Sequence, residues 1–346
     1  MANIFNVCLV LAGAFAASFT LTRLVIHVAR SASWAQPVNS RSSHTKPTLT
    51  RGGVGFVVVI FVWLSLLYWP LSNGGWAFLG AGLIAIVGYL DDAESVSVLQ
   101  RLVAQFLVTS ASIIWFALTS NASNELFSIV SVTVLGSLLV LLWIWFINLF
   151  NFMDGIDGIA SAEVVFVATV AAAFSLNGGQ SDLASAWAVL SGACLGFLVW
   201  NAPPARIFMG DVGSGFLGFI VGGLLLLSID AGVVSPWVAL LLVIAFMGDA
   251  TVTLLRRMLR GERWYEGHRQ HAYQHLAIRW GSHGKVTLAF TAFNVLAVVP
   301  AVWLVNRYPD WAMWIVGVVA AIVMVLCLLA GAGAPATPTE EGPRPV

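Results

Sequence analysis

The chain has 346 residues, of which 59% are hydrophobic and only 9% are charged. Soluble domains carry about 25% charged residues, so the composition excludes an ordinary soluble protein, which would need more polar surface. The formal net charge is zero, and no nucleic-acid partner is expected on electrostatic grounds. Cys8, Cys194 and Cys327 all lie in apolar runs and show no metal-ligand spacing.

Apolar runs recur along the whole chain, and a membrane-spanning helix needs about 20 such residues. Backbone groups inside a bilayer must be satisfied within their own segment, so these runs are predicted to be helices. The fold predicted is an all-α integral membrane protein with about eleven transmembrane helices. The predicted spans are residues 4–28, 54–71, 75–90, 102–119, 126–149, 159–176, 184–200, 213–229, 234–257, 286–305 and 311–331. Two of them, 75–90 and 102–119, are short and are candidates to tilt or break.

The basic residues predict the orientation of these spans. Lysines and arginines fall on one set of alternating loops and ends, and only Arg307 falls on the other side. The positive-inside rule then makes the basic side cytoplasmic, with a periplasmic N-terminus and a cytoplasmic C-terminus. One membrane domain is expected over residues 1–332, followed by a disordered cytoplasmic tail at 333–346. The expected active-site loops are 31–53, 91–101, 150–158, 201–212 and 258–285.

The first two candidate motifs lie in the loop before the second span and at the end of the third. Lys46 and Thr48 precede a glycine pair and are suited to holding phosphate oxygens, although an ordinary polar loop has the same composition. Asp91 and Asp92 directly follow an apolar run. Two carboxylates at a membrane boundary are costly unless a cation or proton neutralises them. A divalent cation, a catalytic proton or a merely solvated helix end would each account for the pair.

The next motif has acidic and amide side chains at a spacing of three residues. Asn151, Asp154 and Asp157 are expected near one face of a helix or tight turn. A glycine follows each acid, which lets the backbone approach a ligand closely. The other interpretation is a polar loop built from turn-forming Asp-Gly pairs.

The loop between the seventh and eighth spans contains Asn201, Phe208 and Asp211. Glycines surround Asp211, as suits a tight loop near a phosphate or a metal ion. Phe208 lies three residues before the acid, at a position suited to stacking on a base. A simple Pro/Gly connector between two helices is the alternative.

The longest predicted cytoplasmic loop contains a histidine-rich stretch. His268, His271 and His275 are spaced by three and four residues, which predicts that they share a helical face. No cysteine or H-E-x-x-H pattern accompanies them, so a cationic phosphate-binding surface that includes Arg269 is favoured over zinc. Anchoring to anionic lipid headgroups is the structural alternative.

Glu163 and Asp249 lie inside predicted spans, where an acid is a functional candidate by default. Each could instead pair with a neighbouring helix, and the Arg256 and Arg257 end is one candidate partner for such a pair. A secondary transporter would also have many spans and intramembrane acids. Transporters, however, tend to place their sites near the bilayer midplane in repeated halves. Here the acids cluster at loop boundaries on one side, which favours an enzyme.

With these motifs in this order, the sequence resembles the polyprenyl-phosphate N-acetylhexosamine-1-phosphate transferase superfamily, glycosyltransferase family 4, over about residues 40–280. Residues 268–275 resemble the O-antigen-initiating branch. They depart from the consecutive histidines of the peptidoglycan-initiating enzyme, which argues against a muramyl-pentapeptide substrate. The resemblance implies that a UDP-N-acetylhexosamine and undecaprenyl phosphate give undecaprenyl-diphospho-sugar and UMP, with Mg²⁺ or Mn²⁺. It implies the first membrane step of O-antigen, lipopolysaccharide or related glycan synthesis, at the cytoplasmic face of the bacterial inner membrane.

The resemblance also assigns roles to residues. Asp91 and Asp92 match the catalytic pair, and Asp91 is expected either to deprotonate the lipid phosphate or to attack the diphosphate. Asp154 and Asp157 match the active-site loop, and Asp211 with Asp92 matches the metal site. The implied substrate-binding residues are Lys46, Thr48, Asn151, Asn201, Phe208, His268, Arg269 and His271. The sugar, whether of GlcNAc, QuiNAc or FucNAc type, is left open, and a homodimer is compatible with the resemblance.

Overall fold

A computed structural model describes residues 4–36, 47–67, 74–119, 129–263 and 268–335. Lys46 and nearly all of the predicted tail lie outside these ranges. Almost every described element is a helix, as expected for a chain rich in long apolar runs. The helices are α1 Ile4–Ser31, α2 Gly53–Leu67, α3 Gly75–Glu94, α4 Val98–Thr119, α5 Ile129–Met153, α6 Ile159–Asn177, α7 Ser181–Asn201, α8 Gly210–Asp230, α9 Pro236–Leu242, α10 Ile244–Leu259, α11 Ala272–Trp280, α12 His283–Phe293, α13 Val299–Arg307 and α14 Ala312–Ala330.

The described residues contain 9 helical segments long and apolar enough to cross a membrane, and the bent pair α9 and α10 makes up to 10. A turn of π-helix, Asn294–Val298, joins α12 and α13 into one of these segments. Helix α2 is apolar but shorter, at 15 residues. Each of the eleven predicted spans overlaps one of these helical segments, and the predicted all-α membrane fold is confirmed.

The two short predicted spans do not break. Helices α3 and α4 are each continuous. They are also longer than predicted, because polar residues extend α3 to Glu94 and α4 back to Val98. The break lies instead in the ninth span, where α9 and α10 meet at an angle of 72°. This bend turns α10 and its acid, Asp249, toward the end of the bundle where the other acids lie.

Helices α6, α7 and α8 form the centre of the bundle. In the most apolar 18-residue stretch of α8, 78% of the residues are buried, compared with 17% in that of α1. Gly192 and Gly196 of α7 let α1 approach closely, since an added Cβ would lie 2.2 Å from the carbonyl oxygen of Leu11 and 2.4 Å from that of Phe15. Small residues four apart commonly allow such contact between membrane helices. The central helices therefore form a tightly packed frame for the loops at their ends.

Glycines also bring three helix ends together on the acidic side. A Cβ at Gly88 of α3 would lie 2.3 Å from the carbonyl oxygen of Asp211, at the start of α8. A Cβ at Gly53 of α2 would lie 2.6 Å from the Cα of Gly213. The ends of α2 and α3 thus pack directly on the first turn of α8, which fixes the separation of the acids that these helices carry.

One small element, a pair of short strands, is not predicted from the sequence. Strand β1, Ala35–Gln36, pairs antiparallel with β2, Thr48–Leu49, and Leu49 forms a further bridge with Ile207. Strands of two residues are too short to produce a recognisable pattern. The short helix α11 lies in the longest predicted cytoplasmic loop, where the histidine spacing predicts a helical face, but it begins only at Ala272. The strand pair and α11 bring loop residues onto the acidic end of the bundle.

Candidate active site

The last turn of α3 meets the first turn of α8 through Asp92. Its two carboxylate oxygens accept hydrogen bonds from the backbone N–H groups of Asp211 and Val212, each at 3.0 Å. The first N–H groups of a helix lack partners within it and form the positive end of its dipole. Gly210 leaves room for this contact, since a Cβ there would lie 2.5 Å from Asp92 Oδ2. Asp92 is therefore fixed in position by α8.

Asp91 and Asp211 meet at a single guanidinium group. Arg101 Nη1 lies 2.6 Å from Asp91 Oδ2 and 3.2 Å from Asp211 Oδ2. Asn151 Nδ2, at the end of α5, donates to Asp211 Oδ1 at 2.9 Å. Four helices thus contribute to one cluster, which unites the predicted residues Asp91, Asn151 and Asp211. Arg101 is not among the predicted site residues, because in the sequence it marks only the end of a candidate loop.

Asp154 lies in the loop after α5 and belongs to the same electrostatic environment. Burial, followed by repulsion from Asp211, Asp92 and Asp157, raises the pKa of Asp154 well above its usual value. Arg101 bridges Asp91 and Asp211, and with Asp92 and Asp154 the cluster has more carboxylates than this one guanidinium can neutralise. Oxygen donors with excess negative charge are the ligands that Mg²⁺ prefers, so the donor set fits that ion. Among the described residues, however, no three acids, histidines or cysteines are already arranged around a metal position.

Asp157 faces a different direction from Asn151. Its Oδ1 lies 3.0 Å from His283 Nδ1, and its Oδ2 accepts a hydrogen bond from the backbone N–H of Ala205 at 3.0 Å. Of the two settings predicted for Asn151, Asp154 and Asp157, the helix does not continue through the motif, because α5 ends at Met153 and the chain then turns through the Asp-Gly pairs. The structure unites Asp157 with the start of α12.

Asn201 is buried and holds two loops together. Its Oδ1 accepts from the backbone N–H of Gly158 at 3.1 Å, and its Nδ2 donates to the carbonyl of Ile207 at 3.0 Å. Phe208 is bound through its backbone, donating to the carbonyl of Leu49 and accepting from the N–H of Gly52, both at 2.8 Å. The side chain of Asn201 therefore positions the loop, whereas the ring of Phe208 lines a neighbouring cleft.

This cleft is open and has a volume of about 950 Å³. It lies between strand β2, the loop before α8, and helices α11 and α12. The predicted residues Thr48, Asp157, Phe208 and Arg269 line it. The cleft is cationic, because Arg30 and Arg206 line it together with Arg269. His283 also lies on its wall. In the sequence, Arg30 and Arg206 indicate only the orientation of the spans in the membrane, and no motif singles out His283.

The histidines of the last loop stack but do not share a helical face. Helix α11 begins at Ala272, so His268 precedes it and the predicted common face is wrong. The rings of His268 and His271 stack at a centroid distance of 4.8 Å, beside Phe152. Burial, then His271 and Arg257, lower the pKa of His268 to about 3. His268 is therefore neutral near pH 7, and the positive charge of this region comes from arginines.

The two intramembrane acids have partners on neighbouring elements. Asp249 of α10 accepts from the backbone N–H groups of Ala272 and Tyr273, at 2.8 and 2.9 Å, rather than pairing with Arg256 or Arg257. Tyr273 in turn donates to the carbonyl of Phe152 at 2.9 Å. Asp249 thus fixes the start of α11, and Tyr273 attaches it to the end of α5, directly before Asp154.

Glu163 of α6 accepts a hydrogen bond from Asn294 Nδ2 at 2.6 Å, at the first residue of the π-helical turn. Both groups are buried. A buried carboxylate needs such a partner. Of the two interpretations of Glu163, the structure contains the pairing with a neighbouring helical segment.

Comparison with known proteins bears on the same residues. A family model, "Glycosyl transferase family 4", matches residues 75–229, which include Asp91, Asp92, Asp154 and Asp211. The phospho-N-acetylmuramoyl-pentapeptide-transferase of Lactococcus lactis subsp. cremoris strain SK11 is 30% identical over 282 residues, which are 73% of this chain and 83% of that protein. The chain belongs to glycosyl transferase family 4. The predicted superfamily is therefore confirmed.

Two further relatives are similar over much of the chain, and one of them has a different name. A probable undecaprenyl-phosphate N-acetylglucosaminyl 1-phosphate transferase of Bacillus subtilis strain 168 is 26% identical over 306 residues, 86% of this chain and 84% of that protein. A phospho-N-acetylmuramoyl-pentapeptide-transferase of Lactobacillus gasseri is 33% identical over 230 residues, 60% of this chain and 69% of that protein. The names of these relatives specify two different sugars, so membership of the family does not identify the sugar.

Proposed function

We propose that this family 4 protein transfers an N-acetylhexosamine-1-phosphate from a UDP-sugar to undecaprenyl phosphate, giving undecaprenyl-diphospho-sugar and UMP. The observation that carries the proposal is the convergence of Asp91 and Asp211 on Arg101, with Asn151 hydrogen-bonded to Asp211, at a bundle end that also holds a cationic cleft. The names of the relatives support the same reaction. A transporter would not need this cluster at one end of the bundle.

The cleft is the proposed donor site. Its volume lies within the range of about 300–1,000 Å³ typical of small-molecule sites. Arg30, Arg206 and Arg269 line it and would bind the two phosphates, because guanidinium groups match phosphate oxygens in charge and geometry. Phe208 offers a ring for the uracil, and Thr48 offers a hydroxyl group. Lys46, His268 and His271 are proposed to contact the same substrate.

Asp211 and Asp92 are proposed to hold Mg²⁺, or Mn²⁺ in its place, with Asp154 adding negative charge. Asp92 already accepts two N–H groups, and a carboxylate has about four lone-pair sites, so both of its oxygens keep capacity for a cation. When bound, the ion would neutralise charge on the diphosphate. Arg101 holds Asp91 and Asp211 in place, and Asn151 orients Asp211.

Asp91 is the proposed group closest to the reaction. In direct transfer it accepts the proton of the lipid phosphate, whose oxygen attacks the phosphorus that bears the sugar. The bond from that phosphorus to the UMP oxygen then breaks. In the alternative, a carboxylate oxygen of Asp91 attacks the same phosphorus first, and its bond to the UMP oxygen breaks, which releases UMP. The lipid phosphate oxygen then attacks this phosphorus, and its bond to the Asp91 carboxylate breaks. Positioning and charge neutralisation provide most of the catalysis in phosphoryl transfer.

The acidic end of the bundle is proposed to face the cytoplasm of the bacterial inner membrane, with the N-terminus periplasmic. Arg30, Arg51 and Arg206 lie at this end, in agreement with the positive-inside rule. The glycan is proposed to be O-antigen, lipopolysaccharide or a related envelope polymer, on the resemblance of residues 268–275. The proposed acceptor sits in the bilayer, and a homodimer is compatible with the reaction.

The test is UMP release by the purified protein with undecaprenyl phosphate and Mg²⁺. The donor panel contains the UDP-linked forms of GlcNAc, QuiNAc, FucNAc and N-acetylmuramoyl-pentapeptide. We expect release with at least one of the first three donors. Release only with the muramoyl-pentapeptide donor would overturn the O-antigen assignment but retain the reaction. No release with any donor would overturn the enzyme and favour the transporter alternative.

A further inference from the structure

Asp154 differs from the other acids of the cluster in how it is held. The carboxylates of Asp91 and Asp211 both contact Arg101. That of Asp92 accepts two backbone N–H groups from the start of α8. Among the described residues, by contrast, no hydrogen bond or ion pair reaches the carboxylate of Asp154. The position of this acid therefore depends on the turn of backbone that carries it.

Tyr273 holds the turn around Asp154 from outside. It is the second residue of α11 and is fully buried. Its hydroxyl donates to the carbonyl of Phe152 at 2.9 Å. The same oxygen lies against Gly155, where an added Cβ would be only 1.9 Å away. The hydroxyl thus touches the chain on both sides of Asp154, and it leaves room for nothing larger than glycine at position 155.

The phenol ring of Tyr273 is itself fixed in place. The backbone N–H of Tyr273 donates to Asp249 Oδ2 at 2.9 Å, which anchors the start of α11. The ring stacks on that of His271, with a centroid distance of 5.5 Å and an interplanar angle of 24°. His271 belongs to the same loop as Arg269, which lines the cationic cleft. The hydroxyl therefore connects the loop of the cleft to the turn that carries Asp154.

We propose that Tyr273 is a positioning residue for Asp154, whose place beside the other carboxylates is determined by the phenol hydroxyl. The inference rests on the proposed function and deepens it. It separates two roles at the start of α11, because Asp249 holds the helix through backbone N–H groups, whereas the phenol acts on the acid. A displacement of about 1 Å can cost about 10²-fold in rate, so the loss of one hydroxyl should be measurable in turnover.

The test is Tyr273→Phe, which removes the hydroxyl and keeps the ring. We expect kcat to fall by about 10- to 100-fold at saturating Mg²⁺, because the acid is displaced from the cluster. KM for the UDP-sugar should stay within about 2-fold of the wild type, since the cleft keeps its lining. The thermal unfolding midpoint should fall less than in Asp249→Asn, which loosens α11 itself.

Tyr308→Phe is the matched control. Tyr308 follows α13, at the end of that helical segment far from the acids, and it is 47% exposed. The same loss of a hydroxyl should there change neither kcat nor KM.

Gly155→Ala tests the contact from the other side. The added Cβ would lie 1.9 Å from the hydroxyl oxygen and would displace the turn, so kcat should again fall. Because Gly155→Ala and Tyr273→Phe both break one contact, the loss in the double variant should be smaller than the product of the two single losses.

Three results would overturn the inference: unchanged kinetics in Tyr273→Phe, a raised KM with unchanged kcat, or losses that multiply fully in the double variant. If one of the single variants fails to fold, the other decides the inference by its kcat and KM. Inactivity of the wild type with every donor would instead refute the proposed function.

Discussion

Asp92 and Asp249 make the same contact in two different settings. Each carboxylate receives two consecutive backbone N–H groups from the start of a helix, α8 for Asp92 and α11 for Asp249. Asp249 is fully buried, and its other near neighbours are Thr253 and His271. Asp92 is half-buried and lies in a cluster where carboxylates outnumber cations. A helix-capping carboxylate is thus a structural group where it is fully enclosed and no other acid lies beside it, and a candidate for catalysis where several carboxylates gather.

Asp211→Asn should separate the two settings most strongly. Asn151 can still hydrogen-bond the new side chain, so we expect the fold to survive, while the loss of charge removes the proposed metal ligand. Turnover should fall at least about 10²-fold, the scale of losing one preorganised electrostatic group. UMP release is measured beside the thermal unfolding midpoint in detergent. Asp91→Asn should behave alike, and near-normal turnover in either variant would exclude that residue from the mechanism.

Asp249→Asn should have the opposite profile. An amide cannot accept as well from both N–H groups of α11, and the lost charge-assisted hydrogen bond should lower the free energy of unfolding by about 1.5–3 kcal/mol. The measurement is chemical or thermal unfolding, with Asp92→Asn as the matched variant. The comparison fails if Asp92→Asn destabilises the protein more than Asp249→Asn does, or if Asp249→Asn folds normally and has no activity.

The apparent affinity for Mg²⁺ should depend on pH. Burial and the neighbouring acids raise the pKa of Asp154, so a proton competes with the cation at higher pH than for an ordinary carboxylate, and Mg²⁺ affinity should rise as the pH rises toward that pKa. The slope should approach, at most, tenfold per pH unit. A group with a raised folded-state pKa also stabilises the fold less as pH increases, so stability without metal should fall over the same window. An Mg²⁺ titration at several pH values tests this, and an unchanged slope in Asp154→Asn would assign the effect to another group.

Glu163→Gln should have the smallest effect. The amide oxygen can still accept from Asn294, so the helix–helix contact survives and no uncompensated charge remains. We expect kcat/KM within about 2-fold of the wild type, because the substitution keeps the contact between the two helices and leaves the acidic cluster unchanged. A loss of turnover as large as that of Asp211→Asn would show that this intramembrane acid belongs to the chemistry.

Much of the helix frame is readable from the sequence, because long apolar runs leave no alternative inside a bilayer. The aspartates are recognisable too, since acids directly after such runs are unusual. Contacts across the fold are not readable: Arg101 reaches Asp211 over 110 residues, and His283 reaches Asp157 over 126. Local spacing was misleading where helices end, as at Met153 before Asp154 and at Ala272 after His268.

The two readings of Asp249 illustrate the same limit. An acid inside an apolar run indicates only that a partner exists, and Arg256 and Arg257 were the nearest candidates in the sequence. The actual partners are backbone N–H groups of α11, a helix that begins 23 residues later. A backbone donor has no signature among the side chains, so only the structure shows that α10 packs against the start of α11.

The acidic cluster is proposed to join a sugar-1-phosphate to a membrane lipid. The most direct measurement is the quantity of lipid-linked diphospho-sugar, by mass spectrometry, beside the quantity of UMP in the same reaction. We expect equal amounts from the wild type and neither product from Asp211→Asn. UMP without the lipid product, or equal product from wild type and Asp211→Asn, would contradict it.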